Sequence, residues 1–137
     1  MHAPALALGA LFSATAAIAH LACIAIGAPA YRVMGAGERM ARAAQAGRLQ
    51  PALVTLAVAA MLSAWAGYAV SGAGVVGPWP FTRPALVLIT VLYLARGLAF
   101  ALLKPLFPGN SATFWWISSG LCLLIGLVHL YGLLAAP

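Results

Sequence analysis

The chain alternates long apolar runs with short polar breaks. The runs fall at about residues 5–30, 51–70, 84–103 and 112–136, each about the 20 residues a helix needs to cross a hydrocarbon core of about 30 Å. None shows the period-two alternation of an outer-membrane strand, so the pattern predicts helices and not a barrel. The expected fold is all-α, an integral membrane bundle of four transmembrane helices forming a single domain over residues 1–137. Pro29, Pro51, Pro84 and Pro105 stand near the ends of the runs, where a missing N–H costs least. Between the first two runs, residues 36–46 (AGERMARAAQA) form helix readily, are closed by Gly47, and place Glu38 and Arg42 at i, i+4. They predict a short interfacial helix.

The second break, SGAGVVGPWPFTRP, is a Gly/Pro loop carrying Trp79 and Phe81 to one interface. Phe114, Trp115 and Trp116 mark the other. With 65% apolar and 6% charged residues and a mean hydropathy of +1.06, a soluble protein would lack a polar surface. The first run is not read as a signal peptide, because no Lys or Arg precedes it and it outruns an h-region.

The net charge of +6 is distributed as the positive-inside rule requires and not as a nucleic-acid surface, so no nucleic acid is expected as a partner. Arg32, Arg39, Arg42 and Arg48 crowd the first loop and Lys104 opens the third, whereas Ser71 to Thr82 carries no charge. The first and third loops are therefore expected in the cytoplasm and both termini periplasmic or outside. The arginine-rich loop, with Glu38, is expected to meet anionic headgroups, each basic residue contributing about 1 kcal/mol near such a surface.

Glu38 is the only acidic residue, which excludes catalysis by paired carboxylates and any Ser-His-Asp set. No nucleophile elbow, phosphate loop or dinucleotide fingerprint occurs. The three histidines are not at metal-ligand spacing, and no metal is expected. Cys23 and Cys122 lie at similar depth but belong to no redox motif, and are read as small hydrophobes.

The segments GAPAYRVMGAGERM (Gly27 to Met40), WAGYAVSGAG (Trp65 to Gly74), YLARG (Tyr93 to Gly97) and FWWISS (Phe114 to Ser119) together resemble a group of small, uncharacterised bacterial four-helix inner-membrane proteins. The resemblance implies a multi-pass inner-membrane location and a four-helix architecture. It implies no activity and carries over no catalytic residue.

Ionisable groups within membrane spans are expensive and mark candidate sites. His20, Arg96 and His129 qualify. Gly9, Ser13, Ala16, His20 and Cys23 make one stripe of the first helix, and Ser119, Cys122, Gly126 and His129 one of the fourth. Counted from the expected helix ends, His20, Tyr93 and Arg96 fall about 8 to 11 residues deep, while His129 lies further out near Trp65 and Tyr68. Two readings stay open for these groups. In one they are interhelical hydrogen bonds worth about 0.6 kcal/mol each. In the other His20, Tyr93, Arg96, Trp65, Tyr68 and His129 line an intrahelical pocket for a lipid, quinone or small amphiphile, in a non-catalytic accessory protein with no cofactor. A haem b held by His20 and His129 in an electron-transfer protein is the alternative, opposed by a depth difference of about 9 Å between them. A small oligomeric transporter or channel is another, and small-residue seams such as Ala59, Ser63 and Gly67 suit a homo-oligomer or a larger membrane complex.

Overall fold

The computed structural model describes residues 3–135, so His2 and Ala136 lie outside the described residues. These are all-helical, without strands. In chain order the helices are α1 Ala3–Ile26, α2 Ala28–Val33, α3 Glu38–Gln45, α4 Gln50–Gly72, α5 Thr82–Leu98, α6 Phe100–Leu103 followed by a 3₁₀ turn at Lys104–Leu106, and α7 Ala112–Ala135. α1, α4 and α7 are each long and apolar enough to cross a membrane, and α5 with α6 makes a fourth candidate bent by 68°.

Two expected helices are divided. The run at 5–30 stops at Ile26 because Gly27 takes φ 89°, a conformation open to glycine, and Pro29 starts α2 in its first turn. The run at 84–103 breaks at Ala99, two residues past Gly97, the weakest helix former in its interior. The short helix expected at 36–46 runs over a shorter span, from Glu38 to Gln45, after Gly37 at φ 98° and before Gly47 at φ 73°.

The helices run up and down, α1 beside α4, α5 beside α7, with α1 against α7 and α4 against α5. Glycines set the closest crossings. A Cβ on Gly97 would lie 2.8 Å from the backbone nitrogen of Leu123, and one on Gly126 would lie 2.7 Å from Leu94 Cδ2, so α5 and α7 approach backbone to backbone. Leu6 of α1 fills the space beside Gly132 of α7 and Gly72 of α4. The ends near Ala3, Gly72, Thr82 and Ala135 thus gather at one pole, the terminal end. At the other pole, the arginine end, Asn110 donates to the Gly35 carbonyl at 3.1 Å and the Phe114 ring covers Gly35.

These contacts fix the heights of the helices. Leu6 and Gly9 facing Gly132 and His129 place Ile26 level with Ala112, so α1 and α7 finish together. Leu94 and Gly97 facing Gly126 and Leu123 place Leu98 level with Cys122, about ten residues or about 15 Å inside the start of α7. α5 stops well short of the arginine end.

A second, small apolar cluster lies at that end. Tyr31, Ala28 and Cys23 pack with Ala41 of α3 in a small buried cluster, and Thr55 at the start of α4 donates to the Tyr31 hydroxyl at 3.4 Å. Cys122 packs instead against the main core around Leu86, Ile89 and Tyr93, and both cysteines are free.

Candidate functional site

Three polar groupings emerge. The deepest centres on Tyr93 of α5. Its hydroxyl shares a 2.7 Å hydrogen bond with Ser13 of α1, the Trp65 ring meets it edge-on at 5.1 Å, and the His129 ring stacks on it at 5.5 Å. His129 is fully buried. Its Nδ1 donates to the Ile125 carbonyl one turn back at 2.9 Å, while Nε2 has no partner and faces α1 at Gly9, where a Cβ would stand 2.9 Å away. Glycine at position 9 is what admits the ring. The node joins all four long helices, since Ser13, Trp65, Tyr93 and His129 each come from a different one.

His20 and Arg96 stand apart from this node. His20 is half-buried and its Nδ1 donates to the Ala16 carbonyl of its own helix at 2.7 Å. His129 is level with Gly9, so about 11 residues, or about 16 Å along α1, separate it from His20. The two histidines do not face one iron, and the free nitrogen of His129 abuts the α1 backbone, so the residues do not fit a haem with these axial ligands. Among the described residues no group of three or more His, Cys, Asp or Glu side chains is placed to hold a metal ion. Tyr68 lies outside the node as well, its ring edge-on to Trp79 at 5.3 Å, with Trp79 lying over Gly67.

The second grouping surrounds Arg96 between α5 and α7. Its two terminal nitrogens donate to Ser119 Oγ at 3.2 Å and Ser118 Oγ at 2.7 Å, and its Cζ lies 5.4 Å from the centre of the Trp115 ring. In the α5–α7 register the backbone of Arg96 is level with Leu124, so the guanidinium reaches five to six residues toward the arginine end, an arginine snorkelling within the protein. Ser119 and Trp115 are buried, and the indole nitrogen of Trp115 has no partner. Phe100 and Trp116 meet at a tilt beside the grouping, their ring centres 5.5 Å apart.

Neither Ser118 nor Trp115 is marked as a ligand contact by its residue type. The signal is their spacing: 115, 118 and 119 share one helical face, which turns toward α5 where Arg96 sits.

The third grouping is the arginine-rich cap. Glu38 accepts from Arg32 Nε and Nη2, both at 3.0 Å, and from Arg42 Nε at 3.4 Å. The paired Arg32 guanidinium, helped by Arg42, holds the Glu38 carboxyl below the usual carboxylate range, and Glu38 in turn raises Arg32. Arg39 and Arg48 are exposed, and with Arg42 they border an open groove of about 540 Å³ beside α3.

Comparison with protein-family models, with curated proteins and with solved structures gives no match, so the placement of these side chains alone carries a functional reading.

Proposed function

We propose that the chain is a multi-pass protein of the bacterial inner membrane, with the arginine cap in the cytoplasm and both termini outside, that acts without catalysis by holding an anionic amphiphile at Arg96. The observation behind this reading is a half-buried guanidinium whose hydrogen-bond partners are two serine hydroxyls. No side-chain carboxylate is left to neutralise it, because the one acid, Glu38, is paired with Arg32 and Arg42. A guanidinium has five N–H donors, and each serine that accepts from it keeps its own proton to donate. Together they offer converging donors to a phosphate or carboxylate oxygen, in a setting where charge-assisted bonds are about twice as strong as neutral ones. Phe100 and Trp116 offer an apolar wall for the attached acyl chain. The filling of the Tyr93 node by Trp65 and His129 directs the ligand to this seam and away from the middle of the bundle.

Native mass spectrometry of the full chain released from bilayers containing phosphatidylglycerol tests the reading. The unsubstituted chain is expected to retain an anionic lipid. Arg96→Ala should weaken retention about tenfold to a hundredfold, the scale of a lost charged hydrogen bond, while Arg48→Ala on the exposed loop should change it by no more than about fivefold. Equal losses in both variants, or retention of neutral quinone alone, would overturn it.

A further inference from the structure

One side of the bundle is shorter than the rest. α1, α4 and α7 have 24, 23 and 24 residues, about 34 to 36 Å of helix, whereas α5 has 17, about 25 Å, against a hydrocarbon core of about 30 Å. The charge-free stretch between Arg83 and Arg96 is shorter still, about 18 Å. At the terminal end α5 starts level with its neighbours, since Leu86 lies against Gly72. The whole shortfall therefore falls at the arginine end. There the chain turns by 68° at Ala99, so the next segment runs nearly across the axis of α5. The turned segment is apolar and uncovered, Leu102 and Leu106 being 77% and 70% exposed, as is Leu98 just before the turn at 68%. It also carries Lys104, the only lysine of the chain, and it is flanked by Trp116, 69% exposed. Long aliphatic side chains beside one ammonium and an indole suit the boundary between headgroups and acyl chains.

We propose that α6 and the following 3₁₀ turn lie in the plane of the bilayer at this boundary, and that the leaflet at the arginine end is drawn inward by several ångström beside them. The partner of this surface is the lipid leaflet. A flat leaflet matched to α7 would leave Lys104 and the backbone of Arg96 about 10 Å or more inside hydrocarbon. A lowered headgroup layer brings phosphates to Lys104 and keeps Leu102 and Leu106 in acyl chains, since a span too short for the bilayer is met by local thinning. The inference does not depend on whether Arg96 retains a lipid.

Spin labels test it in the full chain with Cys23→Ala and Cys122→Ala, reconstituted into dioleoyl phosphatidylcholine with a quarter phosphatidylglycerol. Labels are placed singly at L102C, L106C and, as a ruler on α7, I117C, with a relaxation agent on a minor lipid headgroup. The bundle register puts 102 about 6 Å deeper than 117. With the leaflet drawn in, 102 and 106 are relaxed at least as strongly as 117 and both stay accessible to oxygen. Relaxation at 102 several-fold weaker than at 117 would mean a flat leaflet and overturn the proposal. So would spin–spin broadening between copies, which would put a second chain on this face. The unsubstituted chain gives an independent readout. Lys104 should react with a membrane-impermeant amine reagent from the arginine side within about threefold of the rate of a phosphatidylethanolamine headgroup, and protection of tenfold or more overturns the proposal.

Discussion

A Cβ on Gly9 would stand 2.6 Å from Cε1 of His129, well inside contact distance, and the imidazole cannot retreat because Tyr93 stacks on its other face. Gly9→Ala should therefore destabilise the bundle by about 1 to 3 kcal/mol, as overpacking does, despite the better helix propensity of alanine. In the double variant Gly9→Ala, His129→Ala the clash is gone, so the loss should be smaller than the sum of the single losses. Thermal unfolding of the four chains in one detergent measures the cycle, and strict additivity would mean that the ring and the glycine do not share a space. The polar stripe holding His129 is legible from Ser119, Cys122 and Gly126 at helical spacing. Its partner is not. Depth counted from an expected helix end at Leu103 groups Tyr93 with His20, whereas α5 ends at Leu98, level with Cys122. That register puts Tyr93 opposite Leu127, within a turn of His129.

Among the elements outside the long helices, the cap formed by α2 and α3 holds an ion pair that responds to pH. Glu38 is exposed and hydrogen-bonded chiefly to Arg32, which holds its folded-state carboxyl below the ordinary value. A depressed carboxylate contributes stability that is present above its unfolded value, about 4.3, and is lost as pH falls through the lower folded value. Arg32, raised by the same contact, stays charged throughout this range. Amide protection in α3, corrected for intrinsic exchange, is thus expected to stay level from neutral pH to the ordinary carboxylate range and to fall only below it. Glu38→Gln should abolish that acid limb, and an unchanged limb would assign it to another group. The cap helix itself is legible because Gly37 and Gly47 bound a run of strong helix formers, and the i, i+4 pair of Glu38 and Arg42 is formed. The tighter contact, Glu38 with Arg32, spans the turn at Gly35, whose φ of 77° no helical periodicity reveals. The same limit hides the break in α5. Phe100 to Leu103 is as apolar as the residues before it, so hydropathy continues where the backbone turns.

For the molecule as a whole, the structure turns a list of charges into an asymmetry along one axis. Arg32, Arg39, Arg42 and Arg48 lie at one pole, the Arg96 guanidinium points toward it, Lys104 is set back from it on the same side of the bundle, and Arg83 alone starts α5 at the other. Asn110 bonded to the Gly35 carbonyl ties the first and third connections together, so both basic loops must be on one side of any membrane the bundle crosses. Lys and Arg near span ends set orientation. The cap is therefore expected in the cytoplasm and the terminal end outside. Fusions after Pro137 and within the connection at Gly47 decide this. Alkaline phosphatase, active only outside, should work at Pro137 and fail at Gly47, and a fluorescent protein that matures inside should show the reverse. Fluorescence at Pro137 with phosphatase activity at Gly47 would invert the orientation. It would also place the Arg96 seam and the recessed leaflet outside, where the anionic lipids of the cytoplasmic leaflet are not their partner.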